Sequence, residues 1–520
     1  MNNAPARLPL MTTQQKAIVS RRRVLAIGGL GLAATAIGGT AVWQLWPDPT
    51  GSDPKTPVGG AFVQPEELTS ASGELTANLS AAPVRVQLGG VEASVLGYNG
   101  GLPGPTLRIR AGDRVRVSLH NGLGDPSNLH VHGLHVSPEG NSDNVFVMVQ
   151  AGESFDYDYQ LPDNHPPGVY WYHPHHHGFV AEQVFGGLYG AIIVEDPEPI
   201  PSARERMLVV SDIALAASGQ VAAVNAMQQM DGREGDIVLV NGQVNPALSA
   251  SPGERERWRI VNACVSRYLR LRLDGQLMQL LGIDSGRFEN PEEVTEIVLA
   301  PGNRADLMVT AQAGSSVLRA LFVDRGSHSG TSGAMTSGGM TNGGTMGGDR
   351  TGQSNGSSRE IALATLVVAG SEVESLGALP PQPKPRDLRP ATVTARRELV
   401  FDMGMSMGMG AGMMVSTING RVFSGDRVDT TVAAGSVEEW TLTNTSTMAH
   451  PLHLHVWPMQ LIEQNGQALS KAPWQDVVNI PARGQVRVRI AFEDFSGRTV
   501  YHCHILDHED TGMMGVVGAR

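Results

Sequence analysis

The C-terminal residues combine side chains that bind soft transition metals. Cys503 lies between His502 and His504, and His508 and Met513 follow it five and ten residues later. Successive side chains of a strand point to opposite faces, so the two flanking histidines would face one way and Cys503 the other. Cys503, His508 and a weak axial Met513 are three of the four ligands of a blue-copper site. We therefore expect two metal centres that share this strand.

Histidines two residues apart recur upstream. His450 offers the imidazole that the blue-copper set lacks. Together with the C-terminal pair, four such pairs provide eight imidazoles: His130 and His132, His173 and His175, His453 and His455, and His502 and His504. The members of each pair share one strand face, and imidazole is a good copper ligand, so the eight together suit a cluster of three copper ions.

In these motifs and their order the chain resembles the multicopper oxidases, the family of laccases and bacterial cuprous oxidases, over roughly residues 74–520. The resemblance implies four copper ions: one of type 1, one of type 2 and a type 3 pair. It assigns the type 1 ion to His450, Cys503, His508 and Met513, and the type 2 ion to His130 and His453. It assigns the type 3 pair to His132, His173 and His504 on one ion and to His175, His455 and His502 on the other. The division of histidines between the two type 3 ions stays open.

The remaining histidines provide a comparison, because a lone histidine is more often a hydrogen-bonded bystander than a ligand. Six lie outside the assigned set: His120, His135, His165, His176, His177 and His328. Strand alternation would let His177 face the cluster together with His175. The family motif, however, uses only the first two positions of that run.

The resemblance also implies a reaction. A reductant would pass single electrons to type 1 copper through the exposed edge of His450, and Cys503 would relay them to the neighbouring histidines. O₂ would be reduced to water at the cluster, which consumes protons, so carboxyl groups are expected nearby. Glu509 matches the proton-relay glutamate of the family. Asp143 matches its aspartate, with a solvated loop acid as the alternative.

Methionine marks a second region. Six methionines occur largely among glycines in residues 403–414: Met403, Met405, Met407, Met409, Met413 and Met414. Thioethers prefer Cu(I), so we predict that this segment binds copper, with adaptable core packing as the alternative. It resembles the methionine-rich segments of cuprous oxidases, in which Met448 and Asp402 match substrate-copper residues, although Ser446 replaces an aspartate of that group. Residues 328–358, rich in Gly, Ser and Thr, are interpreted instead as a disordered insert.

Strands must position these ligands. Alternating runs at residues 106–110 and 485–490 predict strands, and 62 Gly and 32 Pro predict many turns. A turn, a strand and a terminal Asn recur at residues 111–121, 252–262 and 434–444, and no histidine lies between His177 and His328. We therefore predict an all-β chain of three consecutive cupredoxin-like Greek-key β-sandwich domains, 68–200, 201–375 and 376–520. The first and third would carry copper and meet at the cluster, and the second would be a spacer. Cys264 would be buried without a disulfide.

The N-terminus predicts export. Arg21, Arg22 and Arg23 precede an apolar run that ends at Trp46, which is typical of a twin-arginine signal over residues 1–46, followed by a linker over 47–67. The signal implies the twin-arginine export machinery as a partner and a periplasmic or cell-surface location. An uncleaved membrane anchor is the alternative. With a net charge of −12 and no basic domain, a nucleic-acid partner is not expected, and no obligate protein partner is inferred.

Three classes of function compete. The first is an oxidase of Cu(I) in copper tolerance, or of phenols and aromatic amines as a general laccase. The second is a copper-sequestering protein, which the methionines alone would permit. The third is a structural protein of the same fold without copper. The presence of Cys503 and all ten histidines of the motifs favours the oxidase.

Overall fold

Three successive pairs of β-sheets make up most of the molecule. The computed structural model describes residues 58–326, 360–405 and 414–520, apart from the side chains of Met405 and Met414. The predicted export signal, the insert at 328–358, Met407, Met409 and Met413 lie outside the described residues. In the described part the sheets confirm the predicted all-β fold of three cupredoxin-like sandwiches.

The first pair of sheets covers residues 67–194. One sheet has the order β1 (Glu67–Thr69), β4 (Thr106–Ile109), β9 (Gly190–Val194), β8 (Gly168–His173) and β6 (His130–His132). The other has the order β3 (Val91–Tyr98), β2 (Glu74–Leu88), β5 (Arg114–Asn121) and β7 (Ser154–Gln160).

The second pair covers residues 204–368. One sheet has the order β11 (Ile237–Val240), β10 (Arg204–Ile213), β13 (Arg255–Asn262), β18 (Arg304–Thr310), β15 (Met278–Ile283) and β16 (Gly286–Val294). The other has the order β12 (Ala247–Ala250), β20 (Ile361–Val368), β19 (Gly314–Leu321), β14 (Leu269–Leu273) and β17 (Glu296–Leu299). Part of the predicted linker packs against this sandwich, since the backbone N–H of Phe62 donates to the carbonyl of Ala247 at 2.9 Å.

The third pair covers residues 395–519. One sheet has the order β22 (Met414–Ile418), β21 (Ala395–Met405), β24 (Ser436–Asn444), β30 (Gln485–Phe492), β26 (Met459–Gln464) and β27 (Gln467–Ala468), with β28 (Trp474–Gln475) pairing with β26. The other has the order β23 (Thr430–Val432), β32 (Met514–Ala519), β31 (Gly497–Cys503), β25 (His450–Leu454) and β29 (Val477–Ile480).

Alternation along the strands builds the core of each sandwich. In β30, every second side chain, from Val486 to Phe492, is buried, as the sequence pattern predicts. Trp258 and Trp440 occupy equivalent places in β13 and β24 and are fully buried. Burial of one large apolar side chain stabilises a fold by about 1.5–3 kcal/mol, so these periodic positions hold the sheets together.

The repeated asparagine has the same role in each sandwich. Asn121, Asn262 and Asn444 end β5, β13 and β24, and each side-chain NH₂ donates to at least two main-chain carbonyls beyond the strand. Each side-chain oxygen also accepts the N–H of the residue two positions later. Because the buried amide satisfies several main-chain groups, it fixes the loop shape. In the third sandwich this loop leads directly to His450.

Among residues 58–326, 360–405 and 414–520, three short helices lie in the loops: α1 (Val180–Gly186), α2 (Ala226–Asp231) and α3 (Leu506–Asp510). The carboxylate of Asp510 accepts the N–H groups of Gly178 and Ala181 at 2.7 and 2.8 Å, which joins α3 to the start of α1. Within the described residues, these helices are too short or too polar to cross a membrane. Cys264 is buried and forms no disulfide, as predicted, and Cys503 is also buried without a disulfide.

Candidate metal centres

Strand pairing brings the histidine pairs together. In the first sandwich, His130 of β6 lies opposite His173 of β8. In the third, His453 of β25 lies opposite His502 of β31, and Leu452 lies opposite Cys503. Residues opposite each other on antiparallel strands have side chains on the same face, so the register sets each pair of histidines beside another.

The eight paired histidines converge between the first and third sandwiches. Their ring nitrogens form three groups in which the ligand atoms lie within 4.8 Å of one another: His132, His173 and His504; His175, His455 and His502; and His130, His132 and His453. The first two groups have the membership that the family resemblance gives to the type 3 pair. The third contains the two histidines expected at type 2 copper.

Unpartnered nitrogens show that this cluster fits metal ions. Buried ring nitrogens without a hydrogen-bond partner occur on six of these histidines: His130, His132, His173, His453, His455 and His504. The remaining contacts join nitrogens to each other, with Nε2 of His502 at 3.0 Å from Nε2 of His175 and 3.2 Å from that of His455. A buried polar atom without a partner is costly, and several such nitrogens within one group of histidines are typical of metal ligands.

A second group lies on the opposite face of β31. The Sγ atom of Cys503 is 3.5 Å from Nδ1 of His450 and 3.8 Å from Nδ1 of His508, and those two nitrogens are 3.3 Å apart. Met513 is fully buried in the same core cluster, and its carbonyl accepts the N–H of Cys503 at 3.0 Å. Two imidazoles, one thiol and one nearby methionine are the donor set of a blue-copper site.

The prediction that electrons arrive through an exposed edge of His450 is wrong. Both His450 and His508 have 0% of their surface exposed. The outer nitrogen of His450 pairs with the hydroxyl of Ser446 at 2.8 Å, and that of His508 with the carbonyl of Met230 in α2 at 3.0 Å. The loop fixed by Asn444 covers the first imidazole, and α2 from the middle sandwich covers the second.

Burial keeps these imidazoles neutral. Desolvation lowers the pKa of His173 and His175 to about 3 and that of His502 to about 4, and the neighbouring histidines add to the effect on His175. Burial likewise raises the pKa of the Cys503 thiol well above its usual range. Neutral imidazole is the form that binds metals, so the histidines are ready to bind at neutral pH, whereas the thiolate requires a nearby cation.

Both predicted acids contact the cluster. Asp143 pairs with Nδ1 of His130 through both carboxylate oxygens at 3.0 Å, and Glu509 lies 3.1 Å from Nδ1 of His502 and 3.5 Å from Nδ1 of His175. Desolvation raises the pKa of Asp143 to about 8 and that of Glu509 to about 7. Asp143 is 1% exposed, which contradicts the alternative of a solvated loop acid.

Two further charged residues contact the cluster or its partners and were not predicted from the sequence. Asp476 accepts from Nε2 of His132 at 3.0 Å through a side-chain oxygen and from Nδ1 of His453 at 2.8 Å through its carbonyl. Arg304, from the middle sandwich, donates to both carboxylate oxygens of Asp476. No sequence signal singled them out, because their contact depends on residues that are distant in the chain.

Of the six remaining histidines, five are described, and none of these joins a group of metal ligands among the described residues. His165 is buried but satisfied, since its ring nitrogens contact the N–H of His135 and the carbonyl of Pro166 at 3.0 Å. His177 packs on Phe423 with ring centroids 4.7 Å apart. His328 lies outside the described residues.

The predicted substrate residues lie in two environments. Met403 and Met448 are buried in the core cluster that contains Cys503. Asp402 is exposed, and its Oδ1 accepts from the hydroxyl of Thr445 at 2.7 Å. Among the remaining substrate candidates, the side chain of Met405, together with Met407 and Met409, lies outside the described part.

Comparison with known proteins identifies the family to which the chain is similar. Three models described as multicopper oxidase match residues 212–336, 391–520 and 81–199. A multicopper oxidase of Mycobacterium tuberculosis, MmcO, is 28% identical over 483 residues, which are 84% of this chain and 86% of that protein.

Two solved structures align with most of this chain. A multicopper oxidase from Campylobacter jejuni described as a metallo-oxidase aligns with a TM-score of 0.74 and 28% identity over 89% of this chain and 96% of the other. A laccase-like multicopper oxidase, CueO, from an Ochrobactrum species, described as acting on lignin model compounds, aligns with a TM-score of 0.72 and 25% identity, covering 88% of this chain and 100% of the other.

Proposed function

The chain belongs to the multicopper oxidase family, and from that premise we propose that it couples one-electron oxidation of Cu(I) to the reduction of O₂ to water. One observation carries the proposal. Cys503 joins the buried group of His450 and His508 on one face of β31 to the cluster histidines on the other. Copper held by these residues would supply one-electron redox chemistry at the first centre and O₂ reduction at the second.

The ligand assignment follows the groups. His450, Cys503, His508 and Met513 would hold the type 1 ion, and His130 and His453 the type 2 ion. The triads described above would hold the type 3 pair, giving four ions in all. The peptide bonds on either side of Cys503 then provide the shortest covalent path between the two centres, and the fully buried surroundings exclude water from it.

The two acids would handle protons. Glu509 lies against His175 and His502, and Asp143 against His130 and, at 3.9 Å, His455. A carboxyl whose pKa lies near neutrality exchanges protons most effectively at that pH, and burial has moved both groups in this direction.

A small cation suits the covered type 1 group better than a bulky phenol. Asp402 lies at the surface and is hydrogen-bonded to Thr445, and the adjacent Ser446 contacts His450, so one short loop connects a surface carboxylate to the buried imidazole. The Campylobacter jejuni protein described as a metallo-oxidase supports this choice. The general laccase is the second candidate, and the Ochrobactrum protein supports it.

The non-enzymatic alternatives explain less. A copper-sequestering protein would need no buried acids against the cluster histidines, and a structural protein would need no buried histidine nitrogens without partners. We also propose, on the N-terminal sequence alone, that the twin-arginine machinery exports the protein and that it acts outside the cytoplasm in copper tolerance.

Removal of the Asp402 carboxylate distinguishes the two substrates. We expect Asp402→Ala to lower the rate of O₂ uptake with Cu(I) several-fold and to leave the rate with a phenol unchanged, because only the cation is attracted by the carboxylate. Glu398→Ala is the matched control, since Glu398 is an exposed acid on the same strand that is bonded to Thr443. Equal losses with both substrates, or a phenol rate that exceeds the Cu(I) rate in the parent protein, would favour the laccase.

Copper loading should stabilise the fold. A ligand that binds only the folded state at about 1,000 times its Kd stabilises it by about 4 kcal/mol, so we expect a higher Tm by calorimetry after loading with copper than after treatment with a chelator.

The size of this thermal shift should depend on the unpartnered nitrogens. His453→Ala is expected to reduce it, whereas His165→Ala, which removes a buried but hydrogen-bonded imidazole, should lower both melting temperatures equally. Equal shifts in the two variants would contradict the ligand assignment.

A further inference from the structure

A turn of the middle sandwich reaches the trinuclear cluster. Arg304 begins β18 and is fully buried. Its guanidinium donates to Oδ1 and Oδ2 of Asp476 at 2.5 and 2.6 Å, and its Nε donates to the carbonyl of Val169 at 2.9 Å. Val169 belongs to the first sandwich and Asp476 to the third, so one side chain connects all three.

The pair has a direct contact with the predicted ligands. Oδ1 of Asp476, which accepts from Arg304, also accepts from Nε2 of His132 at 3.0 Å. A proton on Nε2 leaves a lone pair on Nδ1 of His132, which has no partner among the described residues. In the same way, the bond from Nδ1 of His453 to the Asp476 carbonyl leaves Nε2 of His453 free. Such bonds fix the tautomer and ring orientation of metal-binding histidines.

Close packing leaves the turn little freedom. Gly302 has a φ of 85°, and a Cβ there would lie 2.9 Å from two atoms of the His504 ring. Asn303 donates to the carbonyl of Val477 at 3.0 Å and to both oxygens of Asp284. Asp284 in turn accepts the N–H groups of Arg304 and Val477 at 2.9 and 3.1 Å. The turn is therefore tied to the strand that follows Asp476.

We propose that Arg304 is a positioning residue of the cluster, which holds Asp476 so that His132 and His453 present the correct nitrogens to copper. The middle sandwich is then part of the catalytic architecture rather than a spacer. Burying a guanidinium costs free energy unless the group is fully paired. The partner of Arg304 is Asp476, the carboxylate that contacts His132. The inference rests on the proposed function, because it presumes that copper occupies the cluster.

The test is Arg304→Lys in the copper-loaded full chain, since an ammonium cannot reproduce the two-point contact. We expect an altered type 2 copper EPR signal and a loss of copper affinity at the cluster of about 10–100-fold, with an unchanged absorption band from the Cys503 thiolate–copper bond. Asp476→Asn should change the same EPR signal. This second variant tests the proposal if Arg304→Lys fails to fold.

Arg257→Lys is the matched control. Arg257 is buried in the same sandwich and donates to both oxygens of Asp306 at 2.9 and 2.6 Å, and among the described residues it has no bond to a cluster histidine. It should leave the EPR signal and copper content at parent values. Parent-like EPR in both Arg304→Lys and Asp476→Asn, or an equal change in Arg257→Lys, would overturn the proposal. A parent protein without either copper signal would instead overturn the proposed function.

Discussion

Replacement of Cys503 by serine should abolish both the blue absorption band and turnover. The thiol lies 3.5 Å from Nδ1 of His450 and 3.8 Å from Nδ1 of His508, and its backbone is the direct link to His502 and His504. A serine hydroxyl is a hard, neutral donor that gives no thiolate–copper charge transfer. We expect O₂ uptake to fall to the background of copper-free protein, measured with Cu(I) and with a phenol.

Cys264 provides the control for this change. It is likewise buried and free, lies in the middle sandwich, and its Sγ is 3.8 Å from the carbonyl of Val210. Cys264→Ser should therefore keep the band and the activity, at a small cost in stability. The type 2 copper EPR signal should survive in both variants. A blue Cys503→Ser protein would contradict the assignment of the band to this thiolate, and an active one would show that electrons reach the cluster by another path.

The grouping of the candidate ligands could be predicted from the sequence in part, because each histidine pair is local to one strand. Two histidines separated by one residue share a strand face whatever the tertiary structure, and the alternation puts Cys503 on the other face. Family resemblance then supplied the pairing between strands. The structure places His175, His455 and His502 in one group and His132, His173 and His504 in another, with the same membership.

The fold could be predicted from the sequence for a similar reason. The repeat that ends in Asn121, Asn262 and Asn444 marks the same strand and the same hydrogen-bonded loop in each sandwich. Since a buried asparagine with several main-chain partners tolerates few replacements, the pattern persists where the apolar residues around it vary.

Contacts between distant segments could not be predicted. Arg304 and Asp476 are 172 positions apart, and nothing in either local sequence indicates that they meet. The same limit explains the error over His450. Its burial depends on the loop that contains Ser446, and the cover over His508 comes from α2 in another sandwich. Sequence periodicity predicts which face a side chain occupies but not which element covers that face.

Replacement of Glu509 by glutamine is expected to slow O₂ reduction by about a hundredfold or more, the usual contribution of a positioned proton donor. The amide keeps the size of the carboxyl and its contacts with His502 and His175, but it cannot release and regain a proton. Electron uptake should be much less affected, because the nearest contacts of the Glu509 carboxylate are the cluster histidines His175 and His502. Stopped-flow mixing should show normal anaerobic bleaching of the blue band by Cu(I) and slow return of the band with O₂.

Glu438→Gln is the matched control for Glu509→Gln, because the hydrogen-bond partners of Glu438 among the described residues include no cluster histidine. Glu438 is 2% exposed in the same sandwich, and its carboxylate accepts from Arg397 at 2.6 and 2.8 Å. Glu438→Gln removes a buried charge and should therefore lower the stability of the protein. The blue band of this variant should nevertheless return with O₂ at the parent rate. If both variants reoxidise normally, the protons come from elsewhere, and Asp143, with its two contacts to His130, becomes the next residue to replace. A slow return in Glu509→Gln alone identifies this carboxyl as the donor, because burial and side-chain length are matched between the two sites.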